Sequence, residues 1–187
     1  MKKKSKLIAL AMFVAAGFLA NNANAQTVPV NAFRFNVGAE SGITTGAING
    51  ASTLYVGGTA SLQYGVSKNF ALTLTSGYYN FLGNSGHNSM GMIPVKAGFR
   101  YCIGSGFYFS GEVGVGFELQ NFNAYRNLYD GIPKSTKLLW SPGFGYATKS
   151  WDFGLRYENF SSSKTFAGEN NSYGLVGLRV ARSFGSK

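Results

Sequence analysis

The sequence predicts an all-β protein: an eight-stranded antiparallel up-and-down transmembrane β-barrel with short periplasmic turns and long extracellular loops. Three observations predict this fold. The chain begins with an export signal, it contains eight segments in which large apolar residues alternate with small or charged ones, and the connections between those segments alternate between short and long. Because a strand places successive side chains on opposite faces, each segment has one apolar face and one polar face.

The first 25 residues have the pattern of a cleaved secretory signal peptide. Four lysines precede an apolar run from Leu7 to Ala20, and the small residues of Ala23–Ala25 form a cleavage site. The apolar run is short for a membrane-spanning helix, so we expect cleavage before Gln26 rather than an uncleaved anchor. The predicted domains are therefore 1–25, the signal peptide, and 26–187, the barrel.

Composition argues against several classes of protein. The 187 residues include 17 Lys and Arg and 7 Asp and Glu, a formal net charge of +10, but four of those lysines lie in the signal peptide. The rest of the chain suits one domain and has no basic run or nucleic-acid motif, so we expect no nucleic-acid partner. Cys102 is the only cysteine, which excludes an internal disulfide framework. We expect no metal ion and no cofactor.

The connections between the alternating segments are sorted by length. The segments are expected at about 32–41, 54–66, 70–80, 92–103, 107–119, 137–148, 151–160 and 172–184. The tight turns are expected at 67–69, at 104–106 and around 149–150, and the long polar loops at 42–53, 82–91, 121–136 and 161–170. Strict alternation places every long loop at one end of an up-and-down barrel, as in outer-membrane barrels.

The bulk of the apolar face predicts that it points outward. In the stretch Gly98–Leu119, large apolar residues such as Phe99, Phe109 and Val113 alternate with glycine and charged residues. The lumen of an eight-stranded barrel is only just filled by side chains, so the apolar set is too bulky to be its core. We therefore expect the apolar face to contact lipid and the small and charged residues to fill the lumen.

Four short sequence segments resemble those of a known family: IPVKAGFRY, FSGEVGVGF, SPGFGY and WDFGLRYENF. With them the mature chain resembles the small eight-stranded outer-membrane barrel family, the OmpA/OmpX-like outer membrane protein beta-barrel domain. The resemblance implies residence in the outer membrane of a Gram-negative bacterium and contact with outer-membrane lipid and lipopolysaccharide. It also implies insertion by the barrel-assembly machinery, which reads an alternating last strand; the matching residues are Val176, Leu178, Val180 and Phe184.

The last strand departs from that pattern at Arg182 and in its tail, because Gly185, Ser186 and Lys187 follow the terminal aromatic residue. Arg182 stands where the family often has an aromatic residue, and we expect its long side chain to reach the periplasmic interface. Pro142 removes a ladder donor from a strand that should be paired on both sides, so a β-bulge is expected there.

The inward-facing charges form the first candidate site. Gly98 should lie opposite Glu112, which makes Lys96 and Arg100 diagonal neighbours of that carboxylate. We predict an ion-pair network across the lumen at mid-height, formed by Lys96, Arg100, Glu112, Arg156, Glu158, Arg179 and Glu40. Such a network fits structural filling better than a gated or selective channel, because paired charges obstruct a narrow lumen.

Two further candidates lie on the predicted loops. The first is a loop that combines aromatic rings with cations and is a candidate surface-binding loop: Phe122, Tyr125, Arg126, Tyr129, Lys134 and Lys137. We expect a solvated loop lying on the outer leaflet, and binding of an extracellular ligand such as a glycan or phosphate is the alternative. His87 is the only histidine, and nothing in the sequence fixes a partner beside it, so we predict no catalytic residues and no enzyme activity.

Together these features predict a non-enzymatic outer-membrane barrel with a structural, envelope-stabilising or surface-binding role. A small-solute, porin-like channel is the alternative, and a lipid-modifying enzyme is a third and weaker one.

Overall fold

A computed structural model describes residues 28–46, 48–84, 88–104, 106–119, 136–161, 165–166, 169–170 and 172–185. The chain forms strands β1 (Phe33–Gly46), β2 (Ser52–Gly65), β3 (Phe70–Gly83), β4 (Met90–Cys102), β5 (Phe107–Glu118), β6 (Thr136–Ala147), β7 (Trp151–Ser161), β8 (Thr165–Phe166), β9 (Glu169–Asn170) and β10 (Tyr173–Gly185). Within these ranges, no helix is both long enough and apolar enough to cross a membrane.

Eight of the strands close into the predicted antiparallel barrel. From β1 to β7 each strand pairs with the next one in the chain, β7 pairs with β10, and β10 pairs with β1 to complete the ring. Strands β8 and β9 form a separate small hairpin between β7 and β10 in the chain. The register of the central hairpin is also as predicted, because Gly98 lies opposite Glu112. A closed ring leaves no strand edge unpaired, which a bilayer requires of any sheet that spans it.

The outer surface of the barrel is apolar, as the sequence predicts. Val113 and Leu138 are each 63% exposed, and most of the large outward side chains on the other strands are exposed as well. A contiguous apolar surface of this extent has no place in water, but it matches the lipid-facing band of a transmembrane barrel. The barrel is therefore apolar outside and mostly polar inside.

The strands extend further toward the loop end than the sequence predicts. Of the loops that were predicted to be long, the β1–β2 connection is 47–51 rather than 42–53, and the β3–β4 connection is 84–89 rather than 82–91. Ile43, Thr44 and Thr45 continue the ladder with β10, and Thr44 Oγ1 donates a hydrogen bond to the Ser52 carbonyl. Their polarity resembles that of a loop, but β-branched residues fit a strand well, and here they extend β1. Within 161–170, the β8–β9 hairpin was not predicted.

Pro142 does not produce the expected bulge. The β6–β7 ladder is interrupted at Ser141 and Pro142, but the pairing on both sides of the interruption keeps the same register. The register shift that does occur lies between Ser52 and Leu54, where β2 pairs with β3. Proline removes one donor, and the sheet accommodates this loss by leaving a local gap rather than by inserting a residue.

Inward-facing glycines make room for inward-facing rings. A Cβ atom on Gly57 would lie 2.6 Å from Cδ1 of Tyr79, and one on Gly116 would lie 3.0 Å from Cε1 of Phe160. A narrow barrel can therefore hold large side chains in its lumen, because a neighbouring strand has no side chain at that point.

Candidate functional site

Five charged residues meet at the centre of the lumen. Glu112 Oε2 lies 3.5 Å from Lys96 Nζ and 3.5 Å from Arg156 Nη1. Lys96 also forms an ion pair with Glu158, and Arg156 Nε lies 3.5 Å from Oε1 of Glu40. We call Lys96, Glu112, Arg156, Glu158 and Glu40 the central cluster. Its members come from β1, β4, β5 and β7, so the cluster joins strands on different sides of the barrel.

Hydroxyl groups complete the central cluster. Thr75 donates a hydrogen bond of 2.6 Å to Glu112 Oε1. Tyr55 donates one of 3.2 Å to Glu40 Oε1, and Tyr79 donates one of 3.2 Å to Glu158 Oε1. Burying a charge is costly unless it is both paired and hydrogen-bonded, and these contacts supply both conditions for the three carboxylates.

A second group of charges lies nearer the periplasmic turns. Arg100 Nη1 lies 2.5 Å from Asp152 Oδ2, and Arg179 Nη1 lies 3.3 Å from Asp152 Oδ1. Tyr108 donates a hydrogen bond of 2.8 Å to the same carboxylate, and its ring lies 3.7 Å beneath the Arg100 guanidinium. We call Arg100, Asp152, Arg179 and Tyr108 the lower cluster.

The predicted network is therefore two clusters, and the expected pairing of Arg100 with Glu112 is wrong. Diagonal cross-strand neighbours can reach one another, but the long Arg100 side chain turns toward Asp152 on β7 across the lumen. Sequence reasoning left Asp152 out of the network. The alternation of β7 could have found it, because Asp152 shares the inward parity of Arg156 and Glu158.

An apolar layer fills the lumen above the central cluster, at the loop end. Its members are buried and in contact with one another: Ile48, Ala51, Tyr55, Tyr79, Phe81, Met90, Met92, Leu139, Phe160, Tyr173 and Leu175. We call this set the upper plug. Sequence reasoning missed it, because the inward face was expected to be polar along its whole length. The sequence signal for the upper plug is the alternation within each strand, because the residues at inward-facing positions change from polar to aromatic toward the loop end.

One residue of the predicted surface-binding loop, Lys137, lies in the lumen instead. Lys137 lies in β6 with its side chain wholly buried, and its Nζ is 3.5 Å from Glu118 Oε1 and 5.2 Å from the centre of the Tyr173 ring. Lys137 belongs to the lumen because β6 begins at Thr136, one residue before it. His87 and the signal peptide lie outside the described residues. So do the other predicted loop residues, Phe122, Tyr125, Arg126, Tyr129 and Lys134.

The last strand presents the predicted insertion residues to lipid. Leu178, Val180 and Phe184 are exposed on the outer face of β10, and Val176 is half-buried there. Arg182 lies on the same face, with its guanidinium 5.2 Å from the centre of the Trp151 ring. Reading of these residues by the assembly machinery stays a prediction.

Comparison with known proteins shows the fold of the chain. No family model matches it, and no curated protein does. Among solved structures, Ail, the attachment invasion locus protein of Yersinia pestis, is similar at 13% identity and a TM-score of 0.57, covering 83% of this chain and 99% of that one. The N-terminal β-barrel domain of Pseudomonas aeruginosa OprF is similar at 16% identity and a TM-score of 0.51, covering 83% and 98%. Neisserial surface protein A is similar at 14% identity and a TM-score of 0.53, covering 81% and 97%. The chain shares the architecture of these small eight-stranded outer-membrane barrels.

Proposed function

We propose that this protein is a non-enzymatic integral outer-membrane protein whose barrel is a closed anchor, with an envelope-stabilising or surface-binding role carried by its outer surface and loops. The observation that carries the proposal is the filled lumen. The lower cluster, the central cluster and the upper plug occupy successive levels between the periplasmic turns and the loops.

The filling of the lumen favours an anchor over a pore. A solute needs a continuous water-filled path, and in the central cluster Lys96 and Glu158 are fully buried. In the upper plug, Tyr55, Tyr79 and Phe81 are also fully buried. Opening such a path would require breaking buried ion pairs and separating packed rings, each of which costs free energy.

Recording in planar lipid bilayers tests the closed barrel. We expect the wild-type protein to give no steady, ion-selective conductance under conditions in which a general porin conducts. A Tyr55→Ala, Tyr79→Ala double variant, which removes two rings of the upper plug, tests whether the two charged clusters close the lumen without it. Steady, selective steps from the wild-type protein would contradict the proposal and support the porin-like channel.

The surface-binding role rests on the long β5–β6 connection. Its cations Arg126 and Lys134 alternate with aromatic residues, a composition suited to a sulfated or phosphorylated ligand. Ail, whose barrel is similar, has been solved in complex with the heparin analogue sucrose octasulfate. That compound is therefore a suitable first probe for this loop.

Binding to immobilised heparin tests the role of the loop. We expect cells displaying the wild-type protein to be retained and eluted by sucrose octasulfate, and an Arg126→Gln, Lys134→Gln variant to be retained less. A Lys149→Gln variant is the control, because Lys149 is an exposed lysine on a periplasmic turn. Equal retention of all three would refute binding by this loop and leave the envelope-stabilising role.

The non-enzymatic part of the proposal has a separate test. The carboxylates of the two clusters contact cations of the lumen, which supports a structural role for them. We expect purified protein in lipopolysaccharide-containing vesicles to release no fatty acid and transfer no acyl chain. Activity that is present in the wild type and abolished by His87→Ala would identify an enzyme instead.

A further inference from the structure

The periplasmic mouth of the lumen contains a recess that borders the lower cluster and shares Arg100 with it. Its lining comes from β1, β2, β3, β4, the end of β6, the β2–β3 turn and the segment before β1, including Arg34, Gln63, Asn69, Arg100, Cys102 and Val28. The space open to a water-sized sphere has a volume of about 10 Å³, and part of the recess opens to solvent. This is room for one water molecule or for one oxygen of a larger oxyanion.

The charges around this recess favour an anion. Arg100 and Arg179 share a single carboxylate, Asp152, so the lower cluster has more positive than negative charge before Arg34 is counted. Arg34 and Arg100 are each only 6% exposed, and both line the recess. Buried cations surrounded by a lipid-embedded barrel attract anions more strongly than the same cations would in water.

Two residues that line the recess have a buried polar atom without a hydrogen-bond partner, Arg100 at its Nε and Gln63 at its Oε1. The Nε–H group of Arg100 is buried and has no hydrogen-bond partner, although Nη1 of the same guanidinium contacts Asp152. Planar guanidinium groups present several donors in a fixed arrangement that matches phosphate and carboxylate oxygens. Asn69 and Ser67 of the β2–β3 turn add polar groups at the rim.

We propose that this recess binds a small oxyanion of the periplasm, of the class of inorganic phosphate, with one oxygen held by Arg100 and with Arg34 supplying a second positive charge. The site is distinct from the loops at the other end of the barrel. It faces the aqueous mouth of the lumen rather than the lipid-facing surface.

Cys102 provides a direct probe of the site, because it is the only cysteine of the chain and lines the recess. The test measures the rates at which an anionic and a cationic methanethiosulfonate reagent modify Cys102 in the refolded protein in phospholipid-free detergent. Each rate is divided by the rate at which the same reagent modifies a free thiol in solution, which removes the difference in intrinsic reactivity between the two reagents. We expect the anionic reagent to be favoured, and inorganic phosphate to protect Cys102 from it.

Charge variants distinguish the site from general surface charge. Arg34→Gln should slow the anionic reagent about fivefold and speed the cationic reagent by about the same factor, the effect of one unit charge at a distance of about 8 Å at an effective dielectric constant of about 40, so the ratio of the two rates should fall about 30-fold. Arg34→Lys should retain most of the preference. Lys149→Gln, which removes an exposed charge from a turn at the same end of the barrel, should leave it unchanged.

Three results would overturn the proposal. They are a wild-type Cys102 that reacts with neither reagent, an equal loss of preference in Arg34→Gln and Lys149→Gln, and a failure of millimolar phosphate to protect. Heat-dependent gel migration checks that each variant is folded. Because phospholipid is absent, protection by phosphate cannot come from a lipid headgroup.

Discussion

Neutralising Asp152 is the sharpest test of how the lumen is stabilised. In Asp152→Asn, the side chain keeps its shape, and its Oδ1 can still accept the hydrogen bond from Tyr108. The variant loses the negative charge that Arg100 and Arg179 share, and the side chains of those residues are only 8% and 2% exposed. Two buried guanidinium groups would then face each other without a carboxylate between them.

The expected loss of stability is large. Removing one partner of a buried ion pair typically costs about 3–5 kcal/mol, because the remaining charge stays buried without compensation. Two arginines lose their partner here while the Tyr108 hydrogen bond is kept, so we expect a loss of about 4 kcal/mol. With a urea dependence of about 2 kcal/mol per molar, the unfolding midpoint should fall by about 2 M.

Urea unfolding in detergent, followed by tryptophan fluorescence, measures this change. Val113→Leu is the control, because Val113 is 63% exposed on the lipid-facing surface and its substitution should change stability by less than about 0.5 kcal/mol. Adding Arg100→Met to Asp152→Asn removes one unpaired cation and should recover part of the loss. The reasoning is refuted if Asp152→Asn unfolds within about 0.5 kcal/mol of wild type, or if the double variant is no more stable than the single one.

Three further predictions test the faces, location and orientation of the barrel. Gly57→Ala should destabilise the protein by about 1–3 kcal/mol, because its Cβ would meet the Tyr79 ring. Gly58→Ala on the lipid-facing side should be tolerated, because the nearest atom to its Cβ would be 3.9 Å away. Equal urea midpoints for the two variants would show that the two faces are assigned wrongly. The protein should fractionate with outer membranes and migrate faster on a denaturing gel before boiling than after, and recovery as a soluble periplasmic protein would exclude the barrel. A tag inserted at Gly50 or Asp130 should be labelled on intact cells and one at Lys149 should not; the reverse pattern would invert the topology.

The sequence alone determined which residues face lipid and which face the lumen. Alternation has a period of two, so the parity of one confident position, such as Val113, assigns a whole strand. The opposition of Gly98 and Glu112 follows from the same rule, since a tight turn sets the register of its hairpin. These features are local, and local sequence is sufficient to predict them.

Only the tertiary structure decided which inward residues meet. Arg100 and Asp152 lie on β4 and β7, which are not neighbours in the ring, and the pattern of the two strands does not determine which long side chains meet across the lumen. The upper plug depends in the same way on closure, because Phe81 and Tyr173 come from strands on different sides of the barrel and their ring centres lie 5.8 Å apart. Lys137 begins the strand expected at 137–148 but was grouped with the binding loop beside it, and the pairing of β6, which begins at Thr136, places it in the lumen. Contacts across the lumen arise from the closure of the barrel, and closure is a property of all eight strands together.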